Sequence, residues 1–288
     1  MSSSSSVPRV LRGVAVPRGL DTLHAVVAEP AGRLGHAVAT VVLAHGAGGS
    51  HLNFYRQIDT LSESYRVIAW DQRGFGASTG PTRVPEPDQS AEDLLAVLDH
   101  LLGPTENNVH LVGQSLGGWA LAKAVTSRRR PFASLTLTGS VGGMLTPATR
   151  RSLQVFVDST RAAAGAASTI GRSAALAAST SYQVRPDTVL FQLLGLLPSP
   201  GVSAVEKLLD CTVDPAALAA TETPVLFVVG ELDTIFAPDD VSTVAQRLPA
   251  AEFSVITGAG HSPYFERPDE FNATLTRFLR RVDSTRTR

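Results

Sequence analysis

The stretch Asn108–Ala122, NVHLVGQSLGGWALA, decides how the rest of the chain is read. Val109–Gly113 is a short apolar run suited to a strand, and after Ser115 the apolar pattern turns helical. Between them Gly113-Gln114-Ser115-Leu116-Gly117 sets a serine with glycines two before and two after. A sharp strand-to-helix turn of this kind holds the serine in a strained backbone conformation and lifts its hydroxyl to the edge of a sheet. The glycines let neighbouring segments pass close by. The turn also leaves the Leu116 amide at a helix N-terminus, where it can donate to a developing oxyanion. A purely structural Gly/Ser turn fits the pentapeptide alone; the strand before it and the helix after it favour a nucleophile.

Outward from this turn, strand-like and helix-like segments alternate. GVAV (Gly13–Val16), LHAVVA (Leu23–Ala28), TVVLA (Thr40–Ala44), RVIAW (Arg66–Trp70) and ASLTLTG (Ala133–Gly139) read as strands. DQSAEDLLAVLDHLL (Asp88–Leu102) reads as an amphipathic helix that Ser90 or Asp88 can cap. From Gly142 to about Thr221 the texture is alanine- and leucine-rich and helical, and PVLFVVG (Pro224–Gly230) resumes the strand pattern. The expectation is an α/β fold with a mostly parallel sheet flanked by helices and active residues at the carboxyl ends of the strands. The helical stretch is an insertion laid over that edge as a lid.

Composition narrows the class. With 43% hydrophobic and 18% charged residues and a net charge of −1, no bulk attraction to nucleic acid or anionic membrane is expected. The RRR run at Arg128–Arg130 is read as matching the dipole at a helix C-terminus. One cysteine, Cys211, excludes an internal disulfide and a cysteine-based metal site. MSSSSSVPRV lacks a signal-peptide pattern, and no window carries about 18 consecutive apolar residues. The expected protein is cytoplasmic and reduced, without a membrane span and without metal, and a homodimer stays open. Residues 1–8 and 283–288 are read as tails, 9–141 and 222–282 as the core, and 142–221 as the cap.

A serine hydroxyl needs a base, and the base needs an orienting acid. His261 ends EFSVITGAGH, just past the last strand, and Asp233 stands three residues beyond Gly230 at the end of the preceding one. Both fall on the edge that carries Ser115, in the order Ser, Asp, His. Glu231, Asp239 and Asp240 are rivals for the acid, the last two reading as helix caps. His100 and His110 read as structural, and His24 and His36 have no companion motif. LAHGAGGSHLNF offers glycine-rich chain after a strand, so Ala47 N–H, or failing that Gly48 N–H, is expected to join Leu116 N–H in an oxyanion hole. His45 is read as bracing that loop, and Asp71 and Arg73 of WDQRGFGAS as tying loops together.

The combination of H-G-x-G-G (His45–Gly49), D-x-R-G-x-G-x-S (Asp71–Ser78), G-x-S-x-G-G (Gly113–Gly118), G-x-x-D (Gly230–Asp233) and the late Gly260-His261 resembles the α/β-hydrolase superfamily over residues 13 to 281. The resemblance implies an eight-stranded, mostly parallel sheet with one antiparallel strand and a helical cap between strands six and seven. It also implies hydrolysis through an acyl-enzyme, with no cofactor.

Within the superfamily, dehalogenases and epoxide hydrolases use an aspartate nucleophile, which Ser115 opposes. Carbon–carbon hydrolases often carry a tryptophan after the histidine, where this chain has GHSPYFERP, and proline iminopeptidase-like members carry one in the elbow, where it has Leu116. Cofactor-free haloperoxidases keep the same triad. The reading adopted is a serine hydrolase acting on a small to medium hydrophobic ester, thioester or lactone, with Gly48, Gln114, Phe191 and Tyr264 as substrate-binding candidates. An arginine of the insertion turned inward would instead select a carboxylate-bearing substrate. Carbon–carbon cleavage, haloperoxidase-like activity and a ligand-binding member without turnover remain the alternatives.

Overall fold

Eight strands form one sheet: β1 (Val10–Arg18), β2 (Asp21–Glu29), β3 (Thr40–Ala44), β4 (Arg66–Asp71), β5 (Val109–Gln114), β6 (Ser134–Thr138), β7 (Val225–Gly230) and β8 (Glu252–Ile256). The computed structural model describes residues 10–30, 39–163, 188–200 and 202–286. Strand order is β1-β2-β4-β3-β5-β6-β7-β8. β2 runs antiparallel to both β1 and β4, and every other pairing is parallel. All positions of β3, β5, β6 and β7 are buried, as continuous apolar runs with both faces covered require.

The covering helices are α1 (Tyr55–Leu61), α2 (Pro87–Leu102), α3 (Leu116–Thr126), α4 (Pro147–Ala163), α5 (Thr188–Leu194), α6 (Val202–Glu206), α7 (Pro215–Ala219), α8 (Pro238–Ala245), α9 (Pro263–Glu266) and α10 (Pro268–Arg286). Alternate strand residues divide between two cores. Val42, Ile68 and Leu111 meet Leu94 and Leu98 of α2, Leu121 of α3 and Val244 of α8. Val41, Leu43 and Val112 face the other way with Leu61 of α1 and Phe271, Leu275 and Leu279 of α10. At about 1.5–3 kcal/mol for each fully buried large apolar side chain, this two-sided burial is the main force holding the sheet in place.

Several local expectations change. α2 begins at Pro87 with Glu86 at the cap position and no side-chain cap bond, so neither Ser90 nor Asp88 caps it. Proline needs no amide partner at the first helical position and its fixed φ suits the start. Arg130 does not serve the end of α3. It is buried and donates to the carbonyls of Gly103 and Glu106, just after α2. The residues 283–286 are not a tail. α10 continues through Arg286, and Asp283 accepts from Tyr65 Oη at 3.0 Å and from His110 Nε2 at 3.1 Å. Residues 1–8 and His36 lie outside the described residues, as does part of the arginine-bearing insertion.

Between β6 and β7 the described residues form α4 to α7 and no strand. The described part of this segment touches the carboxyl edge. Pro198 O accepts from Gly76 N at 2.9 Å in the turn after β4, and the Phe191 ring of α5 lies 4.8 Å from the Phe265 ring beyond His261. Among the described residues no helix is long and apolar enough to cross a membrane.

Candidate active site

Ser115 sits between β5 and α3 with φ 46° and ψ −116°, a conformation that a residue with a Cβ adopts only under strain. The turn is held from both sides. Its amide donates to Thr138 O at 3.0 Å, and its carbonyl accepts from Ser140 Oγ at 2.8 Å and Gly118 N at 2.9 Å. Gly117 is required here because a Cβ at that position would run into the carbonyls of Ala44 and His45. The close approach of elbow and glycine loop that the sequence suggested is therefore a backbone contact.

Asp233 and His261 come together at the ends of β7 and β8. Asp233 Oδ2 accepts from His261 Nδ1 at 2.9 Å, and both side chains are almost wholly buried. The other oxygen, Oδ1, accepts the amides of Ile235 at 2.8 Å and Phe236 at 2.9 Å, which fixes the carboxylate's plane. Gly230 lets the two loops meet, since a Cβ there would collide with the carbonyls of Ala259 and Gly260. Glu231, the rival acid, is exposed and accepts from Gly258 N at 2.8 Å instead. Asp239 and Asp240 lie in the first turn of α8, one and two residues past Pro238, not at its cap.

The histidine loop lies against the elbow. Gln114 Nε2 donates to His261 O at 3.3 Å, and a Cβ at Gly139 would lie 3.2 Å from His261 Nδ1. Gln114 is thus a buried brace between the two loops. Among the described residues the Ser115 hydroxyl makes no hydrogen bond, and catalytic hydrogen bonds of this kind often form or tighten only once substrate is bound.

The glycine loop is set by His45. This fully buried ring accepts from Gln72 N at 3.1 Å through Nε2, so its proton is on Nδ1, which donates to Gly46 O at 2.8 Å. Burial pushes its pKa down, more than nearby Asp71 raises it, so the ring is a neutral brace and not a base. Gly48, at φ 78°, has open space where a Cβ would stand. Tyr264 is 2% exposed and packs with Phe54, Phe265 and Phe271, so its ring belongs to the core beneath the site and not to an open binding surface.

The turn after β4 ties the edge together, as its sequence suggested. Arg73 reaches both Asp21 and Asp93, the latter through Nε at 2.5 Å and Nη2 at 2.8 Å. Burial of Asp71 would raise its pKa, but the bond from His51 and the nearby His24 ring hold it far below the carboxylate range. Glu266 was missed altogether. Buried in α9, it accepts the amides of Gly260 at 3.0 Å and Ser262 at 3.2 Å, one on each side of His261. A glutamate three to five residues after a loop histidine is the only sequence trace of that role.

A family model described as the alpha/beta hydrolase family matches residues 41–274. The chain is 28% identical over 279 residues to the dihydrolipoyllysine-residue acetyltransferase component of the acetoin cleaving system of Pseudomonas putida, covering 88% of this chain and 69% of that protein. It is 24% identical to 3-oxoadipate enol-lactonase 1 of Acinetobacter baylyi, covering 84% of this chain and 89% of that one. Against some other curated relatives the match is partial, spanning about a quarter of their length. Among solved structures it resembles a thermophilic esterase from Thermogutta terrifontis, with a TM-score of 0.75 and 24% identity over 96% of this chain and 99% of that one. The match runs from β3 into α10, through every loop that carries the serine, the acid and the histidine, and on that ground the chain belongs to the alpha/beta hydrolase family.

Proposed function

We propose that this chain hydrolyses a carboxylic ester, or a thioester or lactone, of a small to medium hydrophobic substrate through an acyl-enzyme on Ser115. The observation that carries the reading is the buried Asp233–His261 pair, 2.9 Å from oxygen to nitrogen, held against a strained serine turn by Gln114. With Nδ1–H donated to the carboxylate, His261 keeps Nε2 as an acceptor. Nε2 takes the Ser115 proton as Oγ attacks the substrate carbonyl, and Asp233 stabilises the imidazolium that forms. The amides of Leu116 and Ala47 bind the oxyanion. The protonated ring then gives its proton to the leaving oxygen. A water deprotonated by His261 adds to the acyl-serine, and its collapse returns the proton to Ser115 and frees the acid.

The described part of residues 142–221 is proposed to serve as a cap over this edge. The contact of Phe191 with Phe265 and the bond from Gly76 to Pro198 support that reading, and they favour an apolar acyl or alcohol group. The similarity to an enol-lactonase points the same way. The test is burst kinetics with p-nitrophenyl esters of graded acyl length. Turnover should fall by about 10⁴-fold or more in Ser115→Ala with the melting temperature kept. A variant that retains most activity would sink the assignment. Silence from the folded wild type with every ester would move the weight to carbon–carbon cleavage.

A further inference from the structure

Two imidazoles meet one carboxylate beside the catalytic edge. His24 in β2 stands in register opposite Asp71 at the end of β4, and His51 opens the 3-10 turn (His51–Phe54) that follows the glycine loop. His51 Nδ1 lies 2.9 Å from Asp71 Oδ2, and His24 Nδ1 lies 3.5 Å from the same oxygen. The ring centroids are 4.8 Å apart, and one ligand atom from each residue lies within 4.8 Å of the other two.

Hydrogen bonding accounts for one of these histidines and not the other. Asp71 accepts the backbone amides of His51 at 2.6 Å and Ala77 at 2.8 Å, together with His51 Nδ1. His24 Nδ1 is buried without a hydrogen-bond partner. An unpaired ring nitrogen facing a carboxylate is a cost in free energy unless something else takes its lone pair.

We propose that His24, His51 and Asp71 form a binding site for one divalent first-row transition-metal ion, with zinc as the reference ion. Two imidazole nitrogens and a carboxylate oxygen suit zinc, cobalt, nickel and copper, whereas magnesium and calcium prefer all-oxygen sets. With metal–nitrogen bonds of about 2.0–2.1 Å, neighbouring ligands of a tetrahedral ion stand about 3.3 Å apart. The two measured contacts, 2.9 and 3.5 Å, bracket that spacing. Coordination needs the lone pair of His51 Nδ1, so that ring moves its proton to Nε2 by exchange with water. The carboxylate keeps its two backbone amides, which hold it in place. The His24 side chain is 26% exposed, so the ion has a path in and water can fill its remaining position. Bound there, the ion joins β2, the start of the 3-10 turn and the end of β4, and so anchors the loop that carries Ala47.

The experiment is titration of the untagged full-length chain with Zn²⁺ by calorimetry and with Co²⁺ by visible absorption, wild type beside His24→Gln. The expected result is saturable one-to-one binding, cobalt bands of a low-coordinate site, and a melting temperature that rises with zinc. In His24→Gln the affinity should fall about tenfold or more, while melting temperature and ester turnover without metal match wild type. His51→Gln, which keeps an amide donor for Asp71, should show the same loss. Wild type without saturable binding, or variants that bind as tightly as wild type, would overturn the proposal. The binding readouts need no turnover, so they succeed or fail separately from the ester hydrolase reading.

Discussion

Glu266 does for His261 from one side what Asp233 does from the other. Its two oxygens take the amides on both flanks of the histidine, so removing it leaves two buried donors unpaired at about 1–3 kcal/mol each. Glu266→Ala should therefore lower the melting temperature and cut kcat by about tenfold with KM little changed, because a base displaced by a fraction of an ångström loses rate before it loses binding. Glu266→Gln, which keeps one acceptor, should recover part of both losses. Asp233→Asn should be harsher for rate and milder for stability. The asparagine oxygen stays on the Ile235 and Phe236 amides, so its NH2 faces His261 Nδ1 and donates where the carboxylate accepted; the tautomer is then wrong, and kcat falls by about 10⁴-fold in a folded protein. Steady-state kinetics beside thermal melts separate the two patterns. The meeting of Asp233 with His261 beside the Ser115 turn was legible because residues of these types stand at strand ends. Glu266 was not, because its partners are backbone amides that carry no letter in the sequence. His24 and His51 were not, because only the pairing of β2 with β4 and the path of the glycine loop bring them to one carboxylate.

Elements were read better in their centres than at their ends. The amphipathic run of α2 was plain, yet its start was assigned to capping side chains when a proline set it. The arginine run after α3 was read locally, and its last member turned out to serve the end of a different helix. Both misreadings come from contacts between elements, which propensity does not encode. The elbow is the reverse case, since its local sequence demands its tertiary setting. Gly117→Val would drive a branched side chain into the carbonyls of Ala44 and His45, and the expected outcome is a chain destabilised by about 3 kcal/mol or more. A soluble variant with an unchanged melting temperature would contradict the backbone contact. In the cap, Phe191→Ala removes the ring that meets Phe265. On the cap reading, KM should rise about tenfold for longer acyl esters and little for acetate, with kcat nearly constant, as loss of uniform apolar binding requires. Equal changes across the ester series would remove Phe191 from the substrate-binding set.

At the scale of the molecule, the mostly parallel character of the sheet was present in the alternation of apolar runs, whereas the count of eight strands was what the family resemblance implied. The exchanged order β4-β3 and the return of α10 over the second core depend on how the crossovers pack, and periodicity alone does not specify that. One global property follows from His45. Burial holds its folded-state pKa below the ordinary imidazole value, so at falling pH the unfolded chain takes up a proton that the native chain refuses. Its contribution is full above about pH 6.5 and is lost progressively below it, down to the lower folded value. Melting temperatures should decline from pH 7 to pH 5, and a flat profile would contradict a neutral buried ring.

The brace between Gln114 and the carbonyl of His261 joins residues 147 positions apart. A ribosome therefore finishes Ser115, its elbow and the strands on either side of it long before it makes His261, the base of the proposed mechanism. Until β8 docks and the last loop closes over Gln114, the growing chain holds a reactive-looking serine with nothing to deprotonate it. On the proposed mechanism, ester turnover would report that the loop carrying His261 has docked on Gln114.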